Sequence, residues 1–158
     1  MTPPATHDLL DVNVWLALAH LHHPHHAAAK HYWTSSTVPL AFCRTRMQGF
    51  LRLVTQGAVM GNAVHTPLEA WSIYTAHLAT GCSVLLPEPD GLDAVWQRLT
   101  TRPGFHIRDW ADAYLARFAI HANCRMVSFD AGFKKYQNLE DGLNFLHLKP
   151  EPEDSIKA

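Results

Sequence analysis

Three aspartates occupy positions that a parallel α/β sheet would bring to one crevice. Asp11 follows a short apolar run that predicts the end of a buried strand, and Asp130 follows another such run. Asp112 lies near the start of the helix predicted before the second run. Ligand sites in parallel sheets lie beyond the carboxyl ends of the strands, and helix starts face the same crevice. We therefore expect the three carboxylates to lie close together.

Carboxylates gathered in this way would repel one another strongly. At about 5 Å and an effective dielectric constant near 20, each pair repels by roughly 3 kcal/mol. Such a cluster must become protonated, stay apart in water or hold cations. Sites built from carboxylate oxygens suit Mg²⁺ or Mn²⁺, and these ions can activate a water for attack on a phosphodiester. The competing interpretation is that the acids are ordinary helix caps and loop residues.

The elements that would position these acids alternate along the chain. Strands are predicted at 9–10, 38–42, 83–86, 126–129 and 143–148, and helices at 12–20, 25–33, 45–55, 67–80, 92–100 and 109–122. Residues 57–66 are predicted to be a polar connection. Thr66, Pro67 and Glu69 are typical of a helix start with a capping box. The pattern predicts an α/β domain with a mostly parallel central sheet and helices on both faces.

Length and composition agree with one folded domain. The 158 residues are 47% apolar and 17% charged, which excludes a disordered chain. With 13 basic and 14 acidic residues, the chain has no strong positive field for bulk nucleic-acid binding. We expect a single domain over 1–148 and a frayed tail over 149–158. No signal peptide or membrane span is evident, so a cytoplasmic location is expected.

Three segments resemble the motifs of PIN-domain proteins, and they occur in the expected order. They are Leu9 to Leu18, Asp112 to Ala116 and Val127 to Phe133, and Asp130 follows Asp112 by 18 positions, as in that superfamily. Within the superfamily the chain resembles VapC toxins, the ribonuclease half of a bacterial toxin–antitoxin pair. The resemblance covers residues 7–148.

The resemblance implies a fold, an activity and partners. The fold would be a compact three-layer α/β/α sandwich with a central parallel sheet. The activity would be that of an endoribonuclease dependent on Mg²⁺ or Mn²⁺ and acting on structured RNA such as tRNA or rRNA. Homodimers and inhibition by a cognate, VapB-like antitoxin are also implied. Asp11, Asp112 and Asp130 match the catalytic, metal-binding acids of the family, and Asn13 matches a polar position that supports the first of them.

One position departs from the family pattern. A glutamate is usual early in the helix after the second strand, but here that position falls on Met47, or on Gln48 after a slip of one residue. Gln48 could offer only a neutral carbonyl oxygen. Asp109, on the same helix face as Asp112, could supplement the metal site or cap its helix. The loss of one acid leaves open a non-catalytic PIN-fold module that binds RNA or an antitoxin without cleaving.

Candidate RNA contacts surround the predicted crevice. Arg44 and Arg46 lie in the helix after the second strand, where they could bind phosphate or simply face solvent. His106 precedes the helix that carries Asp112 and could touch RNA. Trp110, between the two aspartates of that helix, is the tryptophan most suited to line the site.

Two other classes of site are weaker alternatives. The histidines of the segment 22–26 could bind zinc, but no cysteine or carboxylate lies beside them to complete a tetrahedral set. A phosphoacceptor domain of the response-regulator kind would need a pair of acids after the first strand, and Asp11 stands there alone. A solvated histidine-rich loop and a metal-dependent nuclease are therefore favoured.

Overall fold

The computed structural model describes residues 3–150, and residues 151–158 of the expected tail lie outside the described residues. The strands are β1 (His7–Leu10), β2 (Leu40–Phe42), β3 (Ser83–Leu85), β4 (Cys124–Ser128) and β5 (Phe145–His147). The α-helices are α1 (Val12–Ala19), α2 (His26–Ser35), α3 (Arg44–Val54), α4 (Gly57–Met60), α5 (Pro67–Ala79), α6 (Leu92–Thr100) and α7 (Trp110–His121). Short 3₁₀ helices occupy Gly61–Ala63, Ile107–Asp109 and Ala131–Asn138.

The five strands form one sheet in the order β3-β2-β1-β4-β5. Every neighbouring pair is parallel, so the expected mostly parallel sheet is wholly parallel over the described residues. The first strand is central, because β1 pairs with both β2 and β4. The carboxyl ends of β1 and β4, after which Asp11 and Asp130 follow, are therefore adjacent.

Successive residues of β1 point into two separate apolar layers. Leu9 packs in a core formed with α6 and α7, whereas Leu10 packs in a second core formed with α1, α3 and α5. This alternation is the period-two pattern of a strand that is covered on both faces. The structure thus confirms the predicted α/β/α sandwich.

The predicted start of the helix α5 is confirmed in atomic detail. The Thr66 side chain accepts a hydrogen bond from the Glu69 backbone N–H at 3.2 Å, and the Glu69 carboxylate accepts one from the Thr66 N–H at 2.8 Å. These two bonds satisfy donors that the first turn of a helix otherwise leaves free. The capping box was readable from the sequence because it depends on local spacing alone.

Two helical segments were not predicted. The segment 57–66 was expected to be a polar connection, but it forms α4 and a 3₁₀ turn, with Met60 only 2% exposed in the core. The 3₁₀ helix Ala131–Asn138 buries Phe133 and Tyr136 on one side. Phe133 and Tyr136 lie on the same side because residues three apart align on a 3₁₀ helix. Each of the two segments thus packs against the domain through one or two buried side chains.

No helix among residues 3–150 is long and apolar enough to cross a membrane.

A buried charge cluster ties the middle of the sheet together. Asp8 is fully buried in β1, opposite Arg125 of β4 in the strand register. The guanidinium of Arg125 donates to both Asp8 carboxylate oxygens, from Nε at 2.9 Å and from Nη2 at 2.7 Å. The Tyr32 hydroxyl of α2 donates to the same carboxylate at 2.5 Å. Burial, together with the neighbouring Asp8 charge, raises the pKa of Tyr32, so its hydroxyl remains a donor.

Substituting Asp8→Asn should destabilise the protein by about 3 kcal/mol, because it leaves the Arg125 guanidinium without its counter-charge in a largely buried place. Tyr32→Phe, which removes a single hydrogen bond from the same cluster, should lower stability by only about 1 kcal/mol. Urea denaturation followed by circular dichroism measures both. A loss for Asp8→Asn no larger than that for Tyr32→Phe would show that the ion pair is not a main support of the sheet.

Candidate active site

Asp11 is fixed at the end of β1 by hydrogen bonds to both of its carboxylate oxygens. Its side chain is the N-cap of α1, where Oδ1 accepts a hydrogen bond from the Val12 N–H at 2.8 Å. The other oxygen, Oδ2, accepts one from the Ser128 hydroxyl at 2.9 Å. Asp11 is only 7% exposed. A strand that runs directly into a helix therefore presents this carboxylate in one orientation.

A polar relay joins Asp11 to the end of β4. The Ser128 hydroxyl accepts hydrogen bonds from Asn13 Nδ2 at 3.0 Å and from the Asp130 N–H at 2.9 Å. Asn13 Nδ2 also reaches Asp11 Oδ2 at 3.4 Å. The structure thus brings Asn13, a predicted supporting residue, to the first aspartate. Ser128 was not singled out from the sequence, although a lone serine inside an apolar strand was a signal that could have identified it.

Asp130 lies exposed at the head of the 3₁₀ helix that follows β4. Its Oδ1 accepts a hydrogen bond from the Gly132 N–H at 2.8 Å. A Cβ atom at Gly132 would lie 3.1 Å from the same oxygen, so the glycine allows this close approach. Asp130 is thus both a cap, as the competing interpretation held, and a carboxylate at the carboxyl edge of the sheet.

Asp112 completes the group from the first turn of α7. Burial is the largest cause of its raised pKa, and the charges of Asp11 and Asp130 raise it further, whereas Lys135 opposes the shift. The charges of Asp11 and Asp130 thus reach Asp112 at the carboxyl edge of the sheet. Within residues 3–150, however, no three acidic, histidine or cysteine side chains converge closely enough to form a ready-made metal site.

An internal cation already engages this crevice. Arg46 Nη1 of α3 lies 3.1 Å from Asp11 Oδ1, and the two side chains are 18% and 9% exposed. A pair so shielded from water is stronger than an ordinary surface ion pair. The predicted phosphate-binding arginine thus contacts an acid of the candidate site directly.

The position of the missing glutamate is now explained by packing. Met47 is 3% exposed and belongs to the core beneath the sheet, and Gln48 is exposed and makes no side-chain hydrogen bond within the described residues. Gly49 lies against Val12 of α1, so the face of α3 that carries Arg46 and Gly49 is the one toward Asp11. Gln48 stands 200° around the helix from Arg46, and the structure does not bring it to the acids.

Asp109 pairs with a lysine instead of capping its helix. It occupies the N-cap position of α7, but its side chain makes no capping hydrogen bond. Its Oδ2 lies 2.7 Å from Lys135 Nζ in the 3₁₀ helix after β4. Asp109 contributes to the raised pKa of Asp112 only as the smallest of the causes. Asp109 thus lies beside the three aspartates, with its charge paired to Lys135.

The other two residues predicted to contact RNA, Arg44 and His106, make no hydrogen bond to the three aspartates within the described residues. Arg44 is exposed, and its Nη1 lies 3.6 Å from the Met47 sulfur. His106 is exposed, and its ring Nδ1 accepts a hydrogen bond from the Arg108 N–H at 3.1 Å. His106 thus caps the short 3₁₀ turn that precedes α7. A contact of either side chain with RNA stays a prediction.

The chemical type of these side chains suits a hard divalent cation. Three carboxylates supply oxygen ligands and negative charge, which Mg²⁺ and Mn²⁺ prefer. Burial and the charges of Asp11 and Asp130 raise the pKa of Asp112, and a bound cation would oppose that rise. Asp11, Asp112 and Asp130 are therefore the residues that would hold such an ion, with Arg46 as the competing cation at Asp11.

Comparison with known proteins identifies relatives over most of the chain. Residues 9–139 match the PIN domain family. The chain is 39% identical over 138 residues to Ribonuclease VapC41 of Mycobacterium tuberculosis, covering 84% of this chain and 94% of that protein. It is 33% identical over 125 residues to Ribonuclease VapC38 of the same organism, covering 78% and 85%.

Two solved structures share the fold. Mycobacterium tuberculosis VapC20, a Sarcin-Ricin loop cleaving toxin, superimposes with a TM-score of 0.62 at 15% identity, over 84% of this chain and 97% of that one. VapBC2 from Rickettsia felis, bound to a DNA fragment from its promoter, gives a TM-score of 0.61 at 12% identity, over 90% and 99%. At such low identity these two likenesses concern the fold.

Replacing Asp112 by Asn should stabilise the metal-free protein at pH 7 by a few degrees in Tm. A carboxyl whose pKa is raised by folding destabilises the fold when it is ionised, and the penalty disappears as the pH falls and the group takes up its proton. The gain should therefore shrink toward pH 4. Thermal unfolding in EDTA measures it, with the exposed Glu140→Gln as control. A lower Tm for Asp112→Asn at pH 7 would show that the ionised Asp112 carboxylate does not destabilise the fold.

Proposed function

The chain belongs to the PIN domain family, with VapC ribonucleases among its relatives, and on that premise we propose that it is a metal-dependent endoribonuclease toxin. It would hydrolyse RNA phosphodiester bonds with Mg²⁺ or Mn²⁺ as cofactor. The observation that carries this proposal is that Asp11 and the Asp130 backbone are joined through the Ser128 hydroxyl at the carboxyl edge of the sheet, with Asp112 near enough for both charges to raise its pKa. Oxygen ligands of this kind are those through which divalent cations are held in nucleases.

Each residue of the site has a distinct part in this proposal. Ser128 and Asn13 hold the Asp11 carboxylate in a fixed orientation. Asp112 and Asp130 supply the other two charges from separate elements. A divalent ion bound there would activate the attacking water and offset charge on the leaving oxygen. Arg46 is placed beside Asp11 so that its fork can contact a phosphate as well.

The partners are proposed from the same resemblance. We expect a cognate VapB-like antitoxin, a homodimer and a structured RNA substrate such as tRNA or rRNA. The antitoxin is supported by the likeness of the fold to a VapBC complex, and the RNA by the ribonuclease names of the relatives.

A non-catalytic module is the second candidate function. Its support is the absence of an acid at Met47 and the ion pair that Arg46 forms with Asp11. Such a module would bind RNA or an antitoxin through the same crevice without cleavage. The two candidates differ in whether purified protein cuts RNA and binds divalent metal.

Asp130→Asn should abolish metal-dependent cleavage, because it removes the most exposed charge of the three aspartates while keeping a cap for Gly132. The measurement is cleavage of total bacterial RNA by antitoxin-free protein with Mg²⁺, Mn²⁺ or EDTA. We expect a loss of at least about 100-fold relative to the unsubstituted protein, as for removal of a principal catalytic group. Glu140→Gln, an exposed carboxylate away from the crevice, is the matched control and should cleave normally.

Two results would contradict the catalytic proposal. One is equal cleavage by Asp130→Asn and the unsubstituted protein, which would point to a contaminating nuclease. The other is a folded protein that neither cleaves RNA nor binds Mn²⁺ in calorimetry, which would favour the non-catalytic module.

Arg46→Gln should raise the affinity for Mn²⁺, because the metal would no longer compete with an internal cation for Asp11. An ion pair worth about 1 kcal/mol corresponds to roughly a fivefold change in Kd. Isothermal calorimetry measures this change without reference to activity. Arg52→Gln removes an exposed arginine of the same helix and is the control, for which no change is expected. Unchanged or weaker Mn²⁺ binding by Arg46→Gln would show that the ion pair does not compete.

A further inference from the structure

A cavity of about 370 Å³ opens beside the candidate site, between α3, α6 and α7. Its wall includes Arg46, Glu88, Trp96, Trp110 and Tyr114. The volume lies within the range of roughly 300–1,000 Å³ that is typical of small-molecule sites. The proposed metal site does not involve the three aromatic residues of this wall, Trp96, Trp110 and Tyr114.

The aromatic side chains form a connected wall. Trp96 packs edge to face with Trp110 at 5.7 Å between ring centroids and with Tyr114 at 5.3 Å. Phe105 supports Trp110 from behind at 5.3 Å. Trp110 is nevertheless 49% exposed. A large ring that is held by neighbours and yet half open to solvent is suited to stack against a planar ligand.

Arg46 connects this cavity to the acids. It lines the cavity and contacts Asp11 Oδ1 through Nη1. Its Nε is buried and has no hydrogen-bond partner within the described residues. The guanidinium has five donors in a planar fork. Because Nε is closed to solvent, the N–H groups of the two Nη atoms are the donors left for an anion that lies between the cavity and the acids.

A carboxylate stands at the same wall. Glu88 is exposed, and its Oε2 accepts a hydrogen bond from the Tyr114 hydroxyl at 2.6 Å. Its other oxygen, Oε1, makes no hydrogen bond within residues 3–150. An ionised carboxylate oxygen can only accept hydrogen bonds, so Oε1 can pair with a donor such as the exocyclic amine of a nucleobase.

We propose that this cavity binds one nucleobase of the RNA substrate next to the scissile phosphate, with Trp110 as the stacking residue and Glu88 as the acceptor for an exocyclic amine. The proposal rests on the proposed function, since it takes RNA as the substrate. Arg46 would contact the adjoining phosphate. Adenine, cytosine and guanine carry such an amine, and uracil does not. The site therefore favours the first three bases over uracil.

Binding of nucleoside 5′-monophosphates in EDTA tests the site without any turnover. The probes are AMP, CMP, GMP and UMP, with ribose 5-phosphate as a probe that lacks a base. The indole N–H signals of the ¹⁵N-labelled protein report where each probe binds. We expect saturable shifts of the Trp96 and Trp110 signals, affinities at least threefold higher for AMP, CMP and GMP than for UMP, and no shift with ribose 5-phosphate.

Substitutions at Trp110 test the stacking. Trp110→Ala should weaken AMP binding by about tenfold or more, as base–aromatic stacking elsewhere does, whereas Trp110→Phe should stay within about threefold because it keeps an aromatic face. Trp71→Ala is the matched control, since Trp71 is also 49% exposed but lies on α5, outside the cavity. Thermal unfolding shows whether each variant is folded.

A second pair of substitutions tests the acceptor. Glu88→Ala should remove the preference against UMP. Tyr114→Phe breaks the same hydrogen bond but leaves the carboxylate in place, so it should retain the preference. A preference lost equally in both variants would show that Glu88 only positions the wall, and would overturn its role as the acceptor.

Three further outcomes would overturn the nucleobase site. The first is equal AMP binding by Trp110→Ala and Trp71→Ala. The second is binding of ribose 5-phosphate as tight as that of AMP, which would indicate a simple phosphate contact at Arg46. The third is a Trp110→Ala variant that loses antitoxin binding but keeps mononucleotide binding, which would assign the cavity to a protein partner.

Failure of the nuclease proposal has a different signature. If no RNA is cleaved while AMP still shifts the Trp110 signal and Trp110→Ala still weakens it, the base site stands and the catalytic function is rejected. If RNA is cleaved but mononucleotides do not bind at Trp110, the catalytic function stands and the base site is rejected.

Discussion

The partial burial of one carboxylate, Asp112, beside the charges of two others is the constraint around which the carboxyl edge of this sheet is arranged. Asp11, Asp112 and Asp130 come from three separate elements, and burial and mutual charge raise the pKa of Asp112. Arg46 balances part of this charge through Asp11, and Lys135 lies near enough to oppose the shift of Asp112. In the proposed function, a divalent cation would compete with Arg46 for the Asp11 carboxylate.

The same strand holds a second aspartate whose charge is met in another way. Asp8 is fully buried, and Arg125 and Tyr32 satisfy it with three hydrogen bonds. Asp11, which follows the strand, receives hydrogen bonds from the Ser128 hydroxyl and the Val12 N–H, and its charge is met by Arg46. The Asp8 carboxylate is fully buried with its ion pair, whereas Asp11 is paired with Arg46 at the edge of the sheet, where both side chains are still partly exposed.

The sequence predicted the fold well where local pattern decides it. The parallel α/β sandwich, the capping box at Thr66 and the positions of the three aspartates followed from apolar periodicity and motif spacing. The helical turn at Met60 was missed because one buried anchor leaves no periodic signal. The ion pair of Arg46 could not be predicted, since it depends on how α3 crosses α1. Helix α3 therefore directs Arg46 toward Asp11, whereas the position at which the family resemblance implied an acid, Met47, lies in the core.

The central position of β1 also has a consequence for biosynthesis. Asp11 and its partner Ser128 are 117 residues apart in the chain. Because a ribosome delivers residues in order, β1 and β2 emerge long before β4, and pairing between distant parallel strands forms late. The crevice cannot assemble until β4 has emerged. For the ribonuclease proposed above, this order of synthesis would leave the active site incomplete until the chain is nearly finished.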